Sequence, residues 1–494
     1  MLIKVKKNWK DFIEPSNHIS LTRRDLLARG LATGAMGILL PDLIAGELLR
    51  SAEAAPTNCP APVLQPGALA QIFAEGGPTM GARFISEAQA AAMNSAMATN
   101  YGISGTNLVK LGPNMVVDST SPFGFTLLQG PPGYPGGAAA WKTNVLNKIS
   151  GGGHLGPFNA DDGAGINTGL LGGVSPFKIS QMGKDININA KNTKASWSKG
   201  LPAAAVAGGA LTTANLVKTF SLTPAAAGLT TAPAITAASN AANAITQALA
   251  SVFNVSGRKN GANFLNSAGC AFYGNATIAN PAFATSLFTP SAITALTSKV
   301  TVASLSAPEQ AQIAAYYQSA VGVAGGVIME LNGRDYHGKS PQNVIAPADI
   351  EEARAIVMFL AACDAAQAAG AMIYLANGQA IASGVQSVPA TVGGTAVTVN
   401  APVAKGDAGG AYNAGLIIFY DPKGSPPAAR FTGTLNTTNG SVKIDPNVGS
   451  TAQAVAGLYL SAMQWINKGT IPPAFLTKVR GVGVASNLAN VMVI

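Results

Sequence analysis

Charge is scarce in this chain: Asp, Glu, Lys and Arg make up 11% of its 494 residues, against about a quarter in an ordinary soluble domain. Its surface must therefore be solvated by Ser, Thr, Asn and backbone amides, as suits an exported protein with long loops. Histidine is scarcer still, at three residues. With His18 near the amino end, only His154 and His337 remain for the body of the chain, too few for a three-histidine zinc site. No HExxH, Gly-x-Ser-x-Gly or Walker sequence occurs, which removes the commonest hydrolases. Cys59, Cys270 and Cys363 are odd in number and far apart, so no disulfide framework is expected. Cys363 falls on the apolar face of an expected helix and reads as a buried free thiol. The formal charge of +9 is spread thinly. Without a Lys/Arg cluster, an aromatic-interleaved basic stripe or zinc-finger spacing, nucleic-acid binding has no support, although affinity for anionic polymers or membrane surfaces stays open. No periodic repeat is present.

What the chain does have begins at its amino end. Leu21-Thr-Arg23-Arg24-Asp-Leu-Leu precedes a weakly apolar run, Leu31–Leu40, softened by Gly30, Gly34 and Gly37 and stopped by Pro41-Asp42. Spanning a bilayer takes about 20 mostly apolar residues, so a transmembrane anchor is disfavoured. Pro56-Thr57-Asn58 ahead of Cys59 likewise argues against a lipoprotein. The paired arginines, the short run and the small-residue triplet Ala52-Glu53-Ala54 resemble a signal of the bacterial twin-arginine (Tat) pathway. That resemblance implies a leader over 1–54, recognised by the Tat translocase and cleaved to leave 55–494 in the periplasm or outside the cell without an anchor. The Tat route carries folded proteins, many already loaded with a metal or cofactor.

The remainder reads as a single large α/β domain. Leu69–Ala74 looks like a buried strand running into Glu75-Gly76-Gly77-Pro78, where glycine would either let backbone amides approach an anion or make a tight turn. Residues 86–98 suggest a helix and Leu108–Val117 a strand, ahead of a Pro/Gly loop at 130–137. Ser150–Gly169 gathers His154, Asp161, Asp162 and Thr168 among many glycines. The Ala/Thr-rich stretch 201–250 suggests a surface insertion or short helices. Pro347-Ala-Asp349 starts a helix with Glu351 and Glu352 in its first turn and an apolar face from Ile350 through Ala353, Ile356, Val357 and Leu360 to Asp364. The runs Met372–Leu375 and Gly415–Tyr420 follow as strands, and the succession predicts a largely parallel sheet flanked by helices.

Few residues offer ligand chemistry, and they fall on glycine-rich turns: Asp161 and Asp162, Asp335 and His337, and Asp407 in Lys405-Gly-Asp-Ala-Gly-Gly410. In extended backbone Asp335 and His337 share a face and could meet one ion; they could equally be a turn aspartate and a hydrogen-bonded loop histidine. Asp407, and Asp161 with Asp162, also fit solvated turns.

Asn332-Gly-Arg-Asp335-Tyr-His337, the long helix, the strand ending Ala376-Asn377-Gly378, and Gly406-Asp407-Ala408-Gly409-Gly410 together resemble exported Tat proteins related to sulfatases and alkaline phosphatases. The resemblance implies an alkaline-phosphatase-like α/β sandwich with metal ligands at strand ends. On this chain Asp335, His337 and Asp407 would keep that chemistry, with Asp161 or Asp162 completing a divalent-metal site and Thr168 as nucleophile. Three departures point the other way. Gly76-Gly77-Pro78 stands where an acidic ligand is expected, Asn377-Gly378 where Asp-His or Glu is expected, and Ala408 where a histidine is expected. A two-metal phosphoryl-transfer site needs more ligands than remain. The expectation is therefore an exported envelope protein with a degenerate site that binds or scaffolds. The alternatives are a metal-dependent phosphate or sulfate ester hydrolase, and a surface or secretion-apparatus component that associates with itself or with envelope partners.

Overall fold

A computed structural model of the chain describes residues 66–154, 186–188, 290–322, 325–376, 378–407, 415–448, 451–471, 476 and 488–494. The chain divides into two compact units, Pro62–Thr223 with Ile278–Ile494, and Met1–Ala61 with Pro224–Thr277. All described residues belong to the first unit; the expected leader 1–54 and the stretch 201–250 lie outside them.

The elements begin with β1 (Ala68–Ala74), β2 (Ile85–Ser86), α1 (Glu87–Ala91), α2 (Ser95–Tyr101), β3 (Leu108–Leu111), β4 (Met115–Asp118), α3 (Pro122–Gln129) and α4 (Gly137–Asn144). They continue with β5 (Ile149–His154), β6 (Ile186–Ile188), α5 (Pro290–Thr297), α6 (Ala307–Ala320), β7 (Gly326–Leu331), α7 (Ala346–Ala366) and β8 (Gly370–Ala376). Then come β9 (Ala380–Val392), β10 (Thr395–Asp407), β11 (Leu416–Tyr420), β12 (Phe431–Thr432), β13 (Thr434–Leu435), β14 (Val442–Lys443), α8 (Thr451–Ile466) and α9 (Leu488–Val491).

The central sheet has seven strands in the order β12-β5-β11-β8-β1-β7-β6. All pairings in it are parallel except those of β11, which runs against both β5 and β8. The reason lies in the connections. The chain goes from β7 through α7 to β8 with β1 between the two strands, which is a parallel crossover. Between β8 and β11 the described residues form the β9–β10 hairpin, and β11 returns antiparallel. The sheet is thus largely parallel, as expected, but the two strand runs at Met372 and Gly415 are not a parallel pair.

Burial on both faces explains the near-continuous apolar character of these strands. In β8, Met372, Tyr374 and Ala376 face the helices α6 and α7, whereas Ala371, Ile373 and Leu375 join Val455, Leu458, Tyr459 and Leu460 of α8. Each fully buried Ile or Leu contributes about 1.5–3 kcal/mol relative to exposure. Helix α7 is buried along nearly its whole length. It is therefore apolar almost all round rather than on the single face that its pattern suggested. Its lone cysteine, Cys363, is a buried free thiol.

Two further elements differ from the sequence reading. Residues 86–98 form two helices, because Ser86 and Gln89 close a capping box on α1 and Asn94 then caps a new helix by accepting from the amide of Met97. Leu108–Val117 is a hairpin of β3 and β4, turning at Gly112, whose φ of +54° and close approach to the carbonyl of Ile149 leave no room for a side chain.

Candidate functional site

The carboxyl ends of β1, β7 and β8, where ligands gather in open α/β sheets, are tied together by backbone hydrogen bonds. Arg334 donates to the carbonyl of Glu75 at 2.9 Å, Tyr336 to Gly77 at 3.3 Å, and Ala380 at the start of β9 to Pro78 at 3.1 Å. Gly76 has φ +117°, and a Cβ built on it would stand 2.2 Å from the amide nitrogen of Asp335. The glycine is therefore required by the close approach of the chain's own 334–335 backbone.

Beneath these loops lies a buried ion cluster. Arg83, fully enclosed, donates through Nε to Glu352 Oε2 at 2.9 Å and through its terminal nitrogens to the carbonyl of Thr79 at 3.2 Å and Tyr336 Oη at 3.1 Å. It also pairs with Asp349 Oδ1 at 2.8 Å. Arg334 donates to Glu352 Oε1 at 2.9 Å and to Glu351 Oε2 at 2.6 Å. Tyr374 donates to Glu352 Oε2 at 2.8 Å, and Tyr336 to Asp349 Oδ1 at 2.6 Å. Helix geometry sets this up, because Asp349 in the first turn of α7 and Glu352 in the second stand three residues apart, on one face. The guanidinium of Arg83 also lies 5.5 Å from the Tyr336 ring centre and 5.9 Å from that of Phe123.

Burial pushes the Asp349 carboxyl up; Arg83 opposes this, while the like charge of Glu352 adds to it. For Arg83 burial acts downward, but Asp349 and Glu352 outweigh it and hold the guanidinium above its ordinary range. Asp349 Oδ2 and Thr79 Oγ1 are buried without a hydrogen-bond partner. This cluster escaped the sequence reading, which placed Glu352 and Asp349 only as helix-start residues and passed over Arg83 and Arg334. The available signal was the rarity of charge, since in so weakly charged a chain an Arg beside Phe84 and carboxylates opening an apolar helix are candidates for mutual pairing.

A second cluster closes the other end of α7. Asp364 accepts from Tyr134 at 2.9 Å and Tyr420 at 3.2 Å and pairs with Lys299 at 2.8 Å. Burial raises both tyrosines, and the Asp364 charge adds to the effect.

Of the candidate ligands, Asp335 and His337 are brought together, with Asp335 Oδ1 2.6 Å from His337 Nδ1 and 3.2 Å from the His337 amide. That is the turn-aspartate and hydrogen-bonded histidine arrangement. In the neutral ring the bond places the proton on Nδ1 and makes Nε2 the acceptor. Asp407 ends β10, its backbone paired with Ala380 of β9, at the same end of the sheet. Asp161, Asp162 and Thr168 lie outside the described residues. Among the described residues no group of three His, Cys, Asp or Glu is placed to hold a metal ion, and no helix is long and apolar enough to cross a membrane. Comparison of the chain with family models, curated proteins and solved structures returns no match.

Proposed function

We propose that this is a bacterial envelope protein, exported folded through the Tat translocase, whose alkaline-phosphatase-like α/β core carries a degenerate site and serves to bind or scaffold rather than to hydrolyse. One observation carries the reading. At the carboxyl ends of the central strands, the oxygens of Glu352 accept from Arg83, Arg334 and Tyr374, so the strongest charges there are spent on one another. Such a network makes the region rigid and offers a ligand little unpaired charge. The twin arginines Arg23 and Arg24 support the periplasmic or extracellular address. The test is metal analysis of the mature protein purified without chelator, together with phosphate- and sulfate-ester assays. Stoichiometric divalent metal with ester turnover would overturn the reading.

The hydrolase alternative keeps one observation in its favour. A carboxylate on Nδ1 is the usual way of orienting a metal-binding imidazole, and the Asp335–His337 pair has that form. In that reading His337 and Asp407, with Asp161 or Asp162, hold a divalent ion, Asp335 orients the imidazole rather than ligating as expected, and Thr168 is the nucleophile. Ester turnover abolished by both His337→Ala and Asp407→Ala would establish it.

A further inference from the structure

The carboxyl end of β5 is covered by a short segment of the same chain, Leu488–Ile494, and the contact is built for close approach. Val491, Met492 and Val493 are buried. A Cβ at Gly457 of α8 would fall 1.7 Å from the carbonyl oxygen of Val491, and one at Gly152 of β5 would fall 3.1 Å from the Val493 side chain. Three residues hold the segment. Ser461 Oγ accepts from the Val493 amide at 2.9 Å, and the Arg430 amide donates to the Val493 carbonyl at 2.8 Å. The Arg430 guanidinium reaches the carbonyls of Ala489 at 2.6 Å and Met492 at 3.1 Å. His154, fully buried at the end of β5, completes the set, with Nε2 2.7 Å from the Val491 carbonyl and Nδ1 2.7 Å from Thr432 Oγ1.

A carbonyl oxygen can only accept, so His154 Nε2 carries the proton and Nδ1 accepts from the Thr432 hydroxyl. We propose that Leu488–Ile494 is a strap over the carboxyl end of β5 that acid releases, with His154 as its latch. A second proton must go on Nδ1, where the Thr432 hydroxyl has to turn from donor to acceptor, and must place a full charge on a fully buried ring. The charged groups that act on the ring are Arg430, which opposes the cation, and Asp445, which favours it. Gly457 and Ser461 of α8 are neutral, and Leu488–Ile494 carries no charged side chain. Burial, reinforced by Arg430 and opposed by the Val491 bond and Asp445, holds the ring down at about 4. Because the bound-state value is depressed, the latch is at full strength above the ordinary value of 6.5 and is lost as pH falls from there toward about 4. If release restores the ordinary value, strap closure weakens roughly 30-fold between pH ~7.5 and ~5.

Hydrogen exchange of the whole protein, corrected for intrinsic rates, tests this at the Val493 amide, with β8 amides reporting the folded core. The expected result is a fall in Val493 protection of roughly 30-fold by pH ~5 while β8 stays protected. His154→Gln, uncharged at every pH, should abolish that dependence. Ser461→Ala, which removes the acceptor of the Val493 amide and is therefore read at the Arg430 amide that donates to the Val493 carbonyl, should loosen the strap at every pH and leave the dependence intact. Flat Val493 protection in the wild type, the same fall in His154→Gln, or loss of strap and β8 protection together would each overturn the proposal. Should His154→Gln not fold, the separation of strap from β8 in the wild type, and its persistence in Ser461→Ala, decide the matter.

Discussion

Replacing Glu352 by Gln tests whether the ion cluster under the strand ends is a unit or a set of incidental contacts. Glu352 is completely buried and accepts from Arg83 Nε at 2.9 Å, Arg334 Nε at 2.9 Å and Tyr374 Oη at 2.8 Å. The amide keeps the shape but removes the charge and turns one acceptor into a donor facing groups that themselves donate. Among the described residues Arg83 then keeps only Asp349 as a charged partner, and Arg334 only Glu351, whose side chain is 53% exposed. Breaking a buried pair by removing one partner costs about 3–5 kcal/mol, mostly as the penalty on the charge left behind. That is a large part of the roughly 5–15 kcal/mol that keeps a domain folded. Urea unfolding followed by tryptophan fluorescence reads the effect, Trp141 being fully buried in the core. With an m-value of about 3 kcal/mol/M, the midpoint should fall by about 1–1.7 M. Arg83→Met alone should cost a similar amount. The double substitution Arg83→Met with Glu352→Gln should cost at least about 2 kcal/mol less than the sum, since each change removes the charge that the other strands. A loss below about 1 kcal/mol in Glu352→Gln, or strict additivity in the double variant, would refute the idea that the cluster acts as one unit.

Four other outcomes follow from the same geometry. Gly76→Ala should destabilise by more than about 2 kcal/mol in the same urea assay, because φ is +117° and its Cβ would stand 2.2 Å from the Asp335 nitrogen; a neutral result would remove the close-packing account of the Gly76-Gly77 turn. Burial raises the Asp349 carboxyl, so its contribution is present below the ordinary carboxyl value of 3.8 and is lost as pH rises through the raised one; in Asp349→Asn, stability measured across that range should lose this downward slope. Asp364→Asn weakens contacts to Tyr134, Tyr420 and Lys299 together and should lower stability by about 1–3 kcal/mol by calorimetry. Arg23→Lys with Arg24→Lys should leave unprocessed protein in the cytoplasm on cell fractionation, and normal export would sink the Tat proposal.

The division between what the residues announced and what they concealed has a physical cause. Strands such as Met372–Leu375 and the helix opening at Pro347 are local matters of apolar runs, caps and breakers, and both stand where they were expected. The antiparallel course of β11 was hidden because direction depends on what joins two strands. Here the joint is a long hairpin whose turn, Gly393-Gly394 with φ of +57° and +82°, belongs to the tight class that reverses a chain. The ion cluster was hidden for a deeper reason. Arg83 and Glu352 are 269 residues apart, and no periodicity connects an arginine following β1 to a carboxylate on α7. Asp335 and His337 were legible because they stand two positions apart, and their meeting follows from local turn geometry. Short-range chemistry is thus readable at a strand end, whereas the groups that compete for that space come from across the fold. Arg83 and Glu352 fill their site by pairing, and this is why a ligand set inferred from turns near the strand ends does not by itself define what those ends do.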